Sequence, residues 1–203
     1  MKKYRIVEMF ESVQGEGALT GLPVVFIRFF GCNLSCPWCD EPKHLDKGLV
    51  KEMSANEIIN EINELRHTEV KDIVITGGEP SLQDINELIK KLQDEGFRVA
   101  VETNGYNYEN IKYADWITLS PKTKNGKIPN TIPVGKWSEI KLIVNKDTTE
   151  MELFPYITHS LVYLQPQNNE HSLNMENVKR AYELCLTMGF RLSIQLQKVI
   201  GVE

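Results

Sequence analysis

Three cysteines, Cys32, Cys36 and Cys39, stand within the segment 32–39. Thiolates that are clustered in one short loop can surround a single inorganic centre. A [4Fe–4S] cluster has four irons that require four ligands, so three protein thiolates leave one iron open. The open iron can bind a small molecule through nitrogen and oxygen. The spacing therefore predicts an iron–sulfur site with these three cysteines as its ligands.

A zinc site is the alternative that the spacing leaves open. Structural zinc takes four ligands, usually from two pairs of cysteine or histidine residues. The fourth ligand would have to come from Asp40, His44 or the remote Cys185, because the chain has no second cysteine pair. Cys185 itself lies in a helical pattern, where a small buried hydrophobic side chain is expected. The spacing favours the cluster over zinc.

The elements that must position the cysteines alternate between strands and helices. Strands are predicted at 24–29, 72–76, 98–102, 115–119, 138–144, 160–164 and 191–196. Helices are predicted after Ser54, which forms a capping box with Glu57, from about 83 to 95, and from 175 to 188. Such a pattern indicates a parallel sheet covered by helices. We predict an α/β fold, an incomplete (β6/α3-like) TIM-type barrel in a single domain, 1–203, with a flat doubly wound sheet as the alternative.

Polar or glycine-rich clusters follow several of these strands. They are the segments 32–40, 76–80, 102–105, 120–122 and 165–168. In parallel α/β folds the carboxyl ends of the strands form the active-site face. We therefore expect the five segments to converge on one pocket.

Composition limits the classes of protein to which this chain can belong. The chain has 203 residues, of which 41% are apolar and 25% charged, as is typical of a globular domain. No apolar run approaches the roughly 20 residues of a membrane span, and no signal-peptide pattern is visible. The net charge of −5 argues against nucleic-acid binding. Clustered cysteines without a secretion signal predict a cytoplasmic protein, in a reducing compartment.

Two motifs together resemble a known superfamily. Cys-x3-Cys-x2-Cys, with Trp38 before the last cysteine, resembles the signature of the radical S-adenosylmethionine enzymes. The segment 77–80, Gly-Gly-Glu-Pro after a predicted strand, resembles the motif that lies along the methionyl amino group in that superfamily. The motifs stand in the expected order and spacing. The resemblance implies a [4Fe–4S] cluster that binds S-adenosyl-L-methionine at its open iron.

Further motifs resemble one family, the 7-carboxy-7-deazaguanine synthases. They extend from Glu8 to Val202 and include the segments 8–17, 21–28, 39–40, 101–105, 120–122, 164–166 and 191–195. The segment 14–17, Gln-Gly-Glu-Gly, is the part that is specific to the family. It argues against the functional alternative, a glycyl-radical-enzyme activating protein, which shares the cysteine motif but lacks this segment.

The resemblance implies an activity with its cofactors and partners. The enzyme would be a lyase that converts 6-carboxy-5,6,7,8-tetrahydropterin to 7-carboxy-7-deazaguanine with loss of ammonia, in deazapurine (queuosine precursor) biosynthesis. A 5′-deoxyadenosyl radical would take hydrogen from C6 of the pterin. Mg²⁺, a flavodoxin- or ferredoxin-type electron donor and a homodimer are also implied. Neither a nucleic acid nor a membrane is expected as a partner.

The same resemblance implies the site residues. The substrate contacts would be Val13, Gln14, Gly15, Glu16, Arg28, Thr76, Gln197 and Glu203, and the cofactor contacts Trp38, Asp40, Gly78, Glu79, Glu102, Ser120, Pro121, Lys122, Gln165, Pro166, Gln167 and Asn168. Arg28 would pair with the substrate carboxylate, and Glu16 would accept from the amino and ring N–H groups of the pterin. Glu8 and Glu11 are expected on the solvated surface.

Two positions depart from the family pattern. The residue after Cys39-Asp40 is commonly Thr or Ser and serves as a magnesium ligand, whereas this chain has Glu41. A carboxylate is a good ligand for a hard cation, so we expect Glu41 to bind Mg²⁺ with an altered reach and charge. Near the C-terminus, Gln197 replaces a histidine with which the family often contacts its substrate.

Overall fold

A computed structural model describes residues 2–202 and contains one sheet of nine strands in that part of the chain. The strands are β1 (Lys3–Val13), β2 (Pro23–Phe29), β3 (Lys51–Ser54), β4 (Asp72–Gly77), β5 (Arg98–Thr103), β6 (Trp116–Leu119), β7 (Glu139–Val144), β8 (Val162–Pro166) and β9 (Arg191–Leu192). The helices are α1 (Ala55–Leu65), α2 (Asn86–Asp94), α3 (Glu150–Leu153), α4 (Met175–Met188) and α5 (Leu196–Ile200).

The strand order is β3-β1-β2-β4-β5-β6-β7-β8-β9. From β2 onward in that order every pair is parallel, whereas β1 pairs antiparallel with both β2 and β3. The sheet ends at β3 and β9, so the predicted incomplete barrel is confirmed. The three longer helices, α1, α2 and α4, pack against it. In the described stretch 98–144, no α-helix joins β5 to β6 or β6 to β7, which agrees with the three predicted helix positions.

Side chains along the strands point alternately to the apolar core and to the opposite face of the sheet, which faces the barrel interior. Ile27 and Phe29 on β2 are buried in the large apolar cluster that α1 and α2 complete. Arg28 lies between them and therefore points to the opposite face of the sheet. Thr76 on β4 is its partner in register, and Glu102 on β5 follows the same alternation. The sheet thus directs three polar side chains to one face.

The observed structure of the C-terminal segment differs from the prediction. The strand predicted over 191–196 is only two residues long, and α5 begins at Leu196. The backbone leaves the sheet because its next side chain bonds inward: Ser193 Oγ donates to Gln165 Oε1 at 3.0 Å. Leu196 N then donates to the carbonyl oxygen of Gly15 at 3.0 Å. This bond joins the C-terminal segment to the residues that follow β1.

A helix boundary also differs from the prediction. The helix expected from about 83 begins at Asn86, because residues 80–82 form a 3-10 turn and Asp84 Oδ1 accepts from Asn86 N at 3.1 Å. It ends before Gly96, as predicted. Within residues 2–202, none of the helices is both long and apolar enough to cross a membrane.

The capping box of α1 tests how much a local pattern contributes to stability. Ser54 Oγ accepts from Glu57 N at 3.3 Å, and Glu57 Oε2 accepts from Ser54 N at 2.7 Å. We expect Ser54→Ala to lower the free energy of unfolding by about 1 kcal/mol, because the first turn loses its side-chain acceptor. Urea denaturation measures this change. Asn60→Ala, at an exposed position of the same helix, is the control and should cause no loss, because alanine favours helix. Equal losses in both variants would contradict the role of the cap.

Candidate active site

A cavity of about 780 Å³ opens at the carboxyl ends of the parallel strands. All five polar segments that follow predicted strands contribute to its wall. The lining residues from these segments are Cys32, Leu34, Ser35, Cys36, Trp38, Cys39, Asp40, Thr76, Gly77, Gly78, Glu102, Thr103, Asn104, Ser120, Lys122, Gln165, Pro166, Gln167 and Asn168. The fold brings them together because the carboxyl ends of parallel strands meet at one edge of the sheet.

Most of the implied contact residues lie in this wall. Val13, Gln14, Gly15, Glu16, Arg28, Glu41 and Gln197 also line the cavity. Glu79 and Pro121 do not: both are buried behind the wall. Pro121 is turned away because its neighbours Ser120 and Lys122 face the cavity. Glu203 lies outside the described residues.

The three clustered thiols share one side of the cavity. Leu34 N donates to Cys32 Sγ at 3.4 Å, and Cys39 Sγ donates to the carbonyl oxygen of Glu41 at 3.6 Å. Burial raises the pKa of the Cys32 thiol, and the nearby thiols of Cys36 and Cys39 raise it further. Burial also raises the pKa of Cys39. Three mutually interacting thiols that face a cavity fit a cluster with one open iron.

The zinc alternative requires a compact set of four ligands. Across the described part of the chain, no three His, Cys, Asp or Glu side chains are grouped so as to hold a single metal ion. Cys185 is buried in the apolar cluster of β7, β8 and α4, as predicted. Cys185 does not line the cavity and so does not supply a fourth ligand beside the three clustered thiols.

Glu79 positions residues of the cavity wall through hydrogen bonds with its neighbours. Its carboxylate is 1% exposed and accepts from Thr103 Oγ1 at 2.7 Å, from Asn104 N at 2.6 Å and from Ser81 N at 2.9 Å. Asn104 lines the cavity and donates through Nδ2 to Asn33 Oδ1 at 2.9 Å. The oxygens of Glu79 are therefore occupied by backbone and side-chain groups of the neighbouring turns, and Glu79 positions Asn104 in the cavity wall.

Gly77 and Gly78 allow the end of β4 to approach the chain before the cysteines. Gly77 has a φ of +131°, and a Cβ there would overlap the backbone of Phe29. A Cβ on Gly78 would overlap the carbonyl group of Gly31 and the ring of His44. The glycine pair therefore sets the position of the cysteine loop against the sheet.

A buried group of charges lies opposite the thiols. Lys141 on β7 is 3% exposed, and its Nζ contacts Glu16 Oε2 and lies 2.9 Å from Glu102 Oε2. Gln14 Nε2 donates to Glu102 Oε1 at 2.9 Å. Burial alone would raise the pKa of Glu16, but the charge and hydrogen bond of Lys141 lower it to about 2. Burial alone would lower the pKa of Lys141, but Glu102 and Glu16 raise it well above its usual range.

Lys141 was absent from the residues singled out in the sequence. The signal was present, because one lysine interrupts the apolar run Ile140-Lys141-Leu142-Ile143-Val144 of β7. A charge inside a strand of a covered sheet must be paired or reach water. Lys122 on the same wall is half-buried and donates to Ser120 Oγ at 2.7 Å. Burial and the charge of Lys141 lower its pKa.

Arg28 is already paired with two carboxylates. Its Nε lies 2.7 Å from Glu8 Oε1, and its terminal NH2 group lies 3.0 Å from Glu41 Oε2. The expectation of a solvated Glu8 is wrong, because β1 and β2 place it directly opposite Arg28. Glu11 likewise is not free in solvent, since it accepts from His67 N at 3.1 Å. Glu41 Oε1 also accepts from Lys43 N at 3.2 Å.

The C-terminal segment completes the wall. Gln195 Nε2 donates to Glu16 Oε1 at 2.7 Å and to Asp40 Oδ2 at 3.0 Å. Lys198 Nζ lies 2.9 Å from the same oxygen of Asp40. Gln197 Nε2 donates to Glu16 Oε1 at 3.2 Å, and a Cβ on Gly15 would overlap the Gln197 side chain. The segment that contains Glu16 is therefore packed against the chain end.

Comparison with known proteins identifies the class of this fold and site. The family model described as the radical SAM superfamily matches residues 26–171, and the chain belongs to that superfamily. The chain is 35% identical to the 7-carboxy-7-deazaguanine synthase of Rickettsia prowazekii, over 99% of this chain and 89% of that protein. It is 38% identical to the synthase of Bacteroides thetaiotaomicron, over 98% of both chains. The chain belongs to the 7-carboxy-7-deazaguanine synthase family of radical SAM enzymes.

The fold agrees with this assignment. A crystal structure of QueE from Escherichia coli superposes with a TM-score of 0.76 at 27% identity. The alignment covers 96% of this chain and 94% of that chain.

The Lys141 charge group predicts a specific dependence of stability on pH. Glu16 has a folded pKa of about 2, below its ordinary 4.5, so its stabilisation is complete above 4.5 and is lost as pH falls toward 2. The raised pKa of Lys141 leaves its stabilisation intact up to the ordinary lysine value of about 10.4. We expect Lys141→Met to lower the free energy of unfolding at pH 7 by roughly 3–5 kcal/mol, because two carboxylates lose their cation. The deficit should shrink below about pH 4 as these carboxylates become protonated.

Denaturant unfolding between pH 7 and pH 3 measures the deficit. Lys146→Met is the matched control, since Lys146 has a side chain 62% exposed and a 3.7 Å contact with Glu176. Its effect should stay within about 0.5 kcal/mol. A Lys141→Met deficit that is constant over this pH range would show that the lysine stabilises the protein by packing rather than by charge.

Proposed function

We propose that this protein converts 6-carboxy-5,6,7,8-tetrahydropterin to 7-carboxy-7-deazaguanine, with loss of one ring nitrogen as ammonia. The observation that carries the proposal is the position of the family-specific segment 14–17, of which Gln14, Gly15 and Glu16 line the same cavity as the three clustered thiols. A substrate that occupies this cavity would therefore lie between the source of the radical and a wall of hydrogen-bonding side chains. Similarity to named synthases over nearly the full chain supports the same activity.

The residues that would hold the cofactors are those of the cysteine side. Cys32, Cys36 and Cys39 would ligate the [4Fe–4S] cluster, and Gly78 and Asn104 border the space beside it. When bound, the cluster and S-adenosylmethionine supply the one-electron chemistry that removes hydrogen from the substrate. The protein orients the groups around them and restricts the access of competing hydrogen donors.

The substrate side offers oriented acceptors and donors. Glu16 is ionised at neutral pH, because the charge and hydrogen bond of Lys141 lower its pKa to about 2. It therefore acts as an acceptor for amino and ring N–H groups, while Lys141 and Gln195 fix its direction. Gln14 lines the same wall and contributes an amide. Arg28 would bind the substrate carboxylate through its guanidinium group.

Mg²⁺ belongs to this proposal through Glu41. The Glu41 carboxylate lines the cavity, and carboxylate oxygen is a preferred ligand of Mg²⁺. Both of its oxygens have partners, Arg28 and Lys43 N, so cation binding would require it to exchange at least one of them.

The remaining partners are proposed on chemical grounds. The cysteine loop includes exposed residues such as Ser35 and Cys39, where a flavodoxin- or ferredoxin-type donor could deliver an electron. We place the enzyme in the reducing cytoplasm, because a [4Fe–4S] cluster with an open iron is sensitive to oxidation. A homodimer and a single radical SAM domain complete the proposal.

Turnover under anaerobic conditions tests the activity. The reconstituted protein with S-adenosylmethionine, reductant and the carboxytetrahydropterin should release ammonia and 7-carboxy-7-deazaguanine, measured by absorbance and mass spectrometry. Cys39→Ala should lose both the product and the cluster absorbance, because one ligand of the cluster is gone. Cys185→Ala, at a cysteine away from the cavity, should keep both. Intact cluster absorbance without the product would reject the proposed substrate.

Magnesium dependence tests the role of Glu41. We expect Mg²⁺ to stimulate turnover of the unaltered protein and to have no effect on Glu41→Ala, because the variant lacks the proposed ligand. Iron content should be equal in the two proteins, which separates this effect from loss of the cluster. Turnover that is indifferent to Mg²⁺ in both proteins would refute the magnesium site.

A further inference from the structure

Arg28 is the cationic group of the cavity to which we assign the carboxylate of the substrate, yet two acidic side chains already pair with it. Glu8 bonds its Nε at 2.7 Å and Glu41 bonds its terminal nitrogen at 3.0 Å. The ring of Phe10 lies 5.7 Å from the guanidinium carbon. The Lys43 ammonium group also lies 3.5 Å from Glu8 Oε2. A third carboxylate, brought by the ligand, would meet a guanidinium whose nitrogens two carboxylates already contact.

The two acids differ in how they are positioned. Glu8 lies on β1 directly opposite Arg28 on β2, so the register of the sheet determines this pair. Glu41 belongs to the loop that follows Cys39 and precedes a 3-10 turn. The strand register thus holds the backbone of Glu8 beside Arg28, whereas the pairing of Glu41 with Arg28 depends on the conformation of a loop and its side chain.

Glu41 also has a second partner. Its Oε1 accepts from Lys43 N at 3.2 Å, a contact that does not involve Arg28. The side chain is 25% exposed, so its carboxylate can be hydrated when it gives up the guanidinium. Exchange therefore does not leave an unpaired buried charge, which would be the main obstacle to it.

We propose that Glu41 is an internal competitor of the substrate: its carboxylate occupies the anion position on Arg28, and a ligand carboxylate binds by displacing it. This inference rests on the proposed function. It makes Glu41 a determinant of affinity for carboxylated heterocycles, separate from any role as a magnesium ligand. Heterocycles that lack a carboxylate do not compete for this position.

Binding of two ligands without added divalent cation tests the inference. The ligands are 7-carboxy-7-deazaguanine and 7-deazaguanine, titrated calorimetrically into the cluster-loaded protein with S-adenosylmethionine. We expect Glu41→Gln to bind the carboxylated ligand about fivefold more tightly, the factor that corresponds to an ion pair of about 1 kcal/mol. Its affinity for 7-deazaguanine should not change.

Two further variants keep the result interpretable. Glu11→Gln removes a carboxylate from the same strand as Glu8, outside the cavity, and should change neither affinity. Glu41→Thr removes the charge with a shorter side chain and should reproduce the Glu41→Gln result, which guards against a folding defect in one variant.

Unchanged or weaker binding of the carboxylated ligand by both Glu41 variants would overturn the inference. An equal gain for both ligands would also overturn it, because Glu41 would then obstruct the ring rather than occupy Arg28. Turnover separates the two proposals. Pterin conversion by the unaltered protein together with unchanged Glu41-variant affinities counts against the inference alone, whereas absence of conversion counts against the proposed function.

Discussion

The site depends on one buried cation. Lys141 must be paired because an ammonium group inside a protein costs several kcal/mol of desolvation. Its two carboxylates come from distant parts of the chain, Glu16 from the segment after β1 and Glu102 from β5. Gln14 donates a further hydrogen bond to the Glu102 carboxylate, and Gln195 donates one to the Glu16 carboxylate. The electrostatic requirement of one side chain thus connects the first strand, the middle of the sheet and the chain end around one cavity.

The same principle explains why the site is ordered before any ligand binds. Glu79 beneath the wall accepts from Thr103 and Asn104 and so fixes the turn after β5. Groups whose directions are set in advance do not have to reorganise when charge or hydrogen-bonding demand develops. The Arg28–Glu41 pair differs from this pattern, because one of its members lies on a loop. It is the pair in which we propose that a ligand carboxylate takes the place of Glu41.

Because the barrel is open, the C-terminal segment covers one side of the cavity. Without the residues that follow β9, the cavity would be exposed beside this last parallel strand. Instead, Ser193 and Leu196 bond to Gly17 N and the Gly15 carbonyl oxygen, which covers this side with the C-terminal segment. The Gln14–Gly17 segment is therefore packed against the C-terminal segment, and both contribute residues to the cavity wall.

Local patterns were sufficient for much of the fold and for the identity of the chemistry. The parallel sheet, the capped helix after Ser54, the glycine stop after α4 and the cysteine spacing all depend on neighbours within a few residues. The pairing of Glu8 with Arg28, the burial of Lys141 between Glu16 and Glu102, and the early end of β9 depend on residues 20 to 125 positions apart. The sequence near a charged residue does not show its partner. The same residue type and neighbours are compatible with a side chain hydrated by water and with one paired to a distant carboxylate. Residue types and spacing therefore specified which groups are available for chemistry, and long-range packing determined which of them are already paired when the substrate arrives.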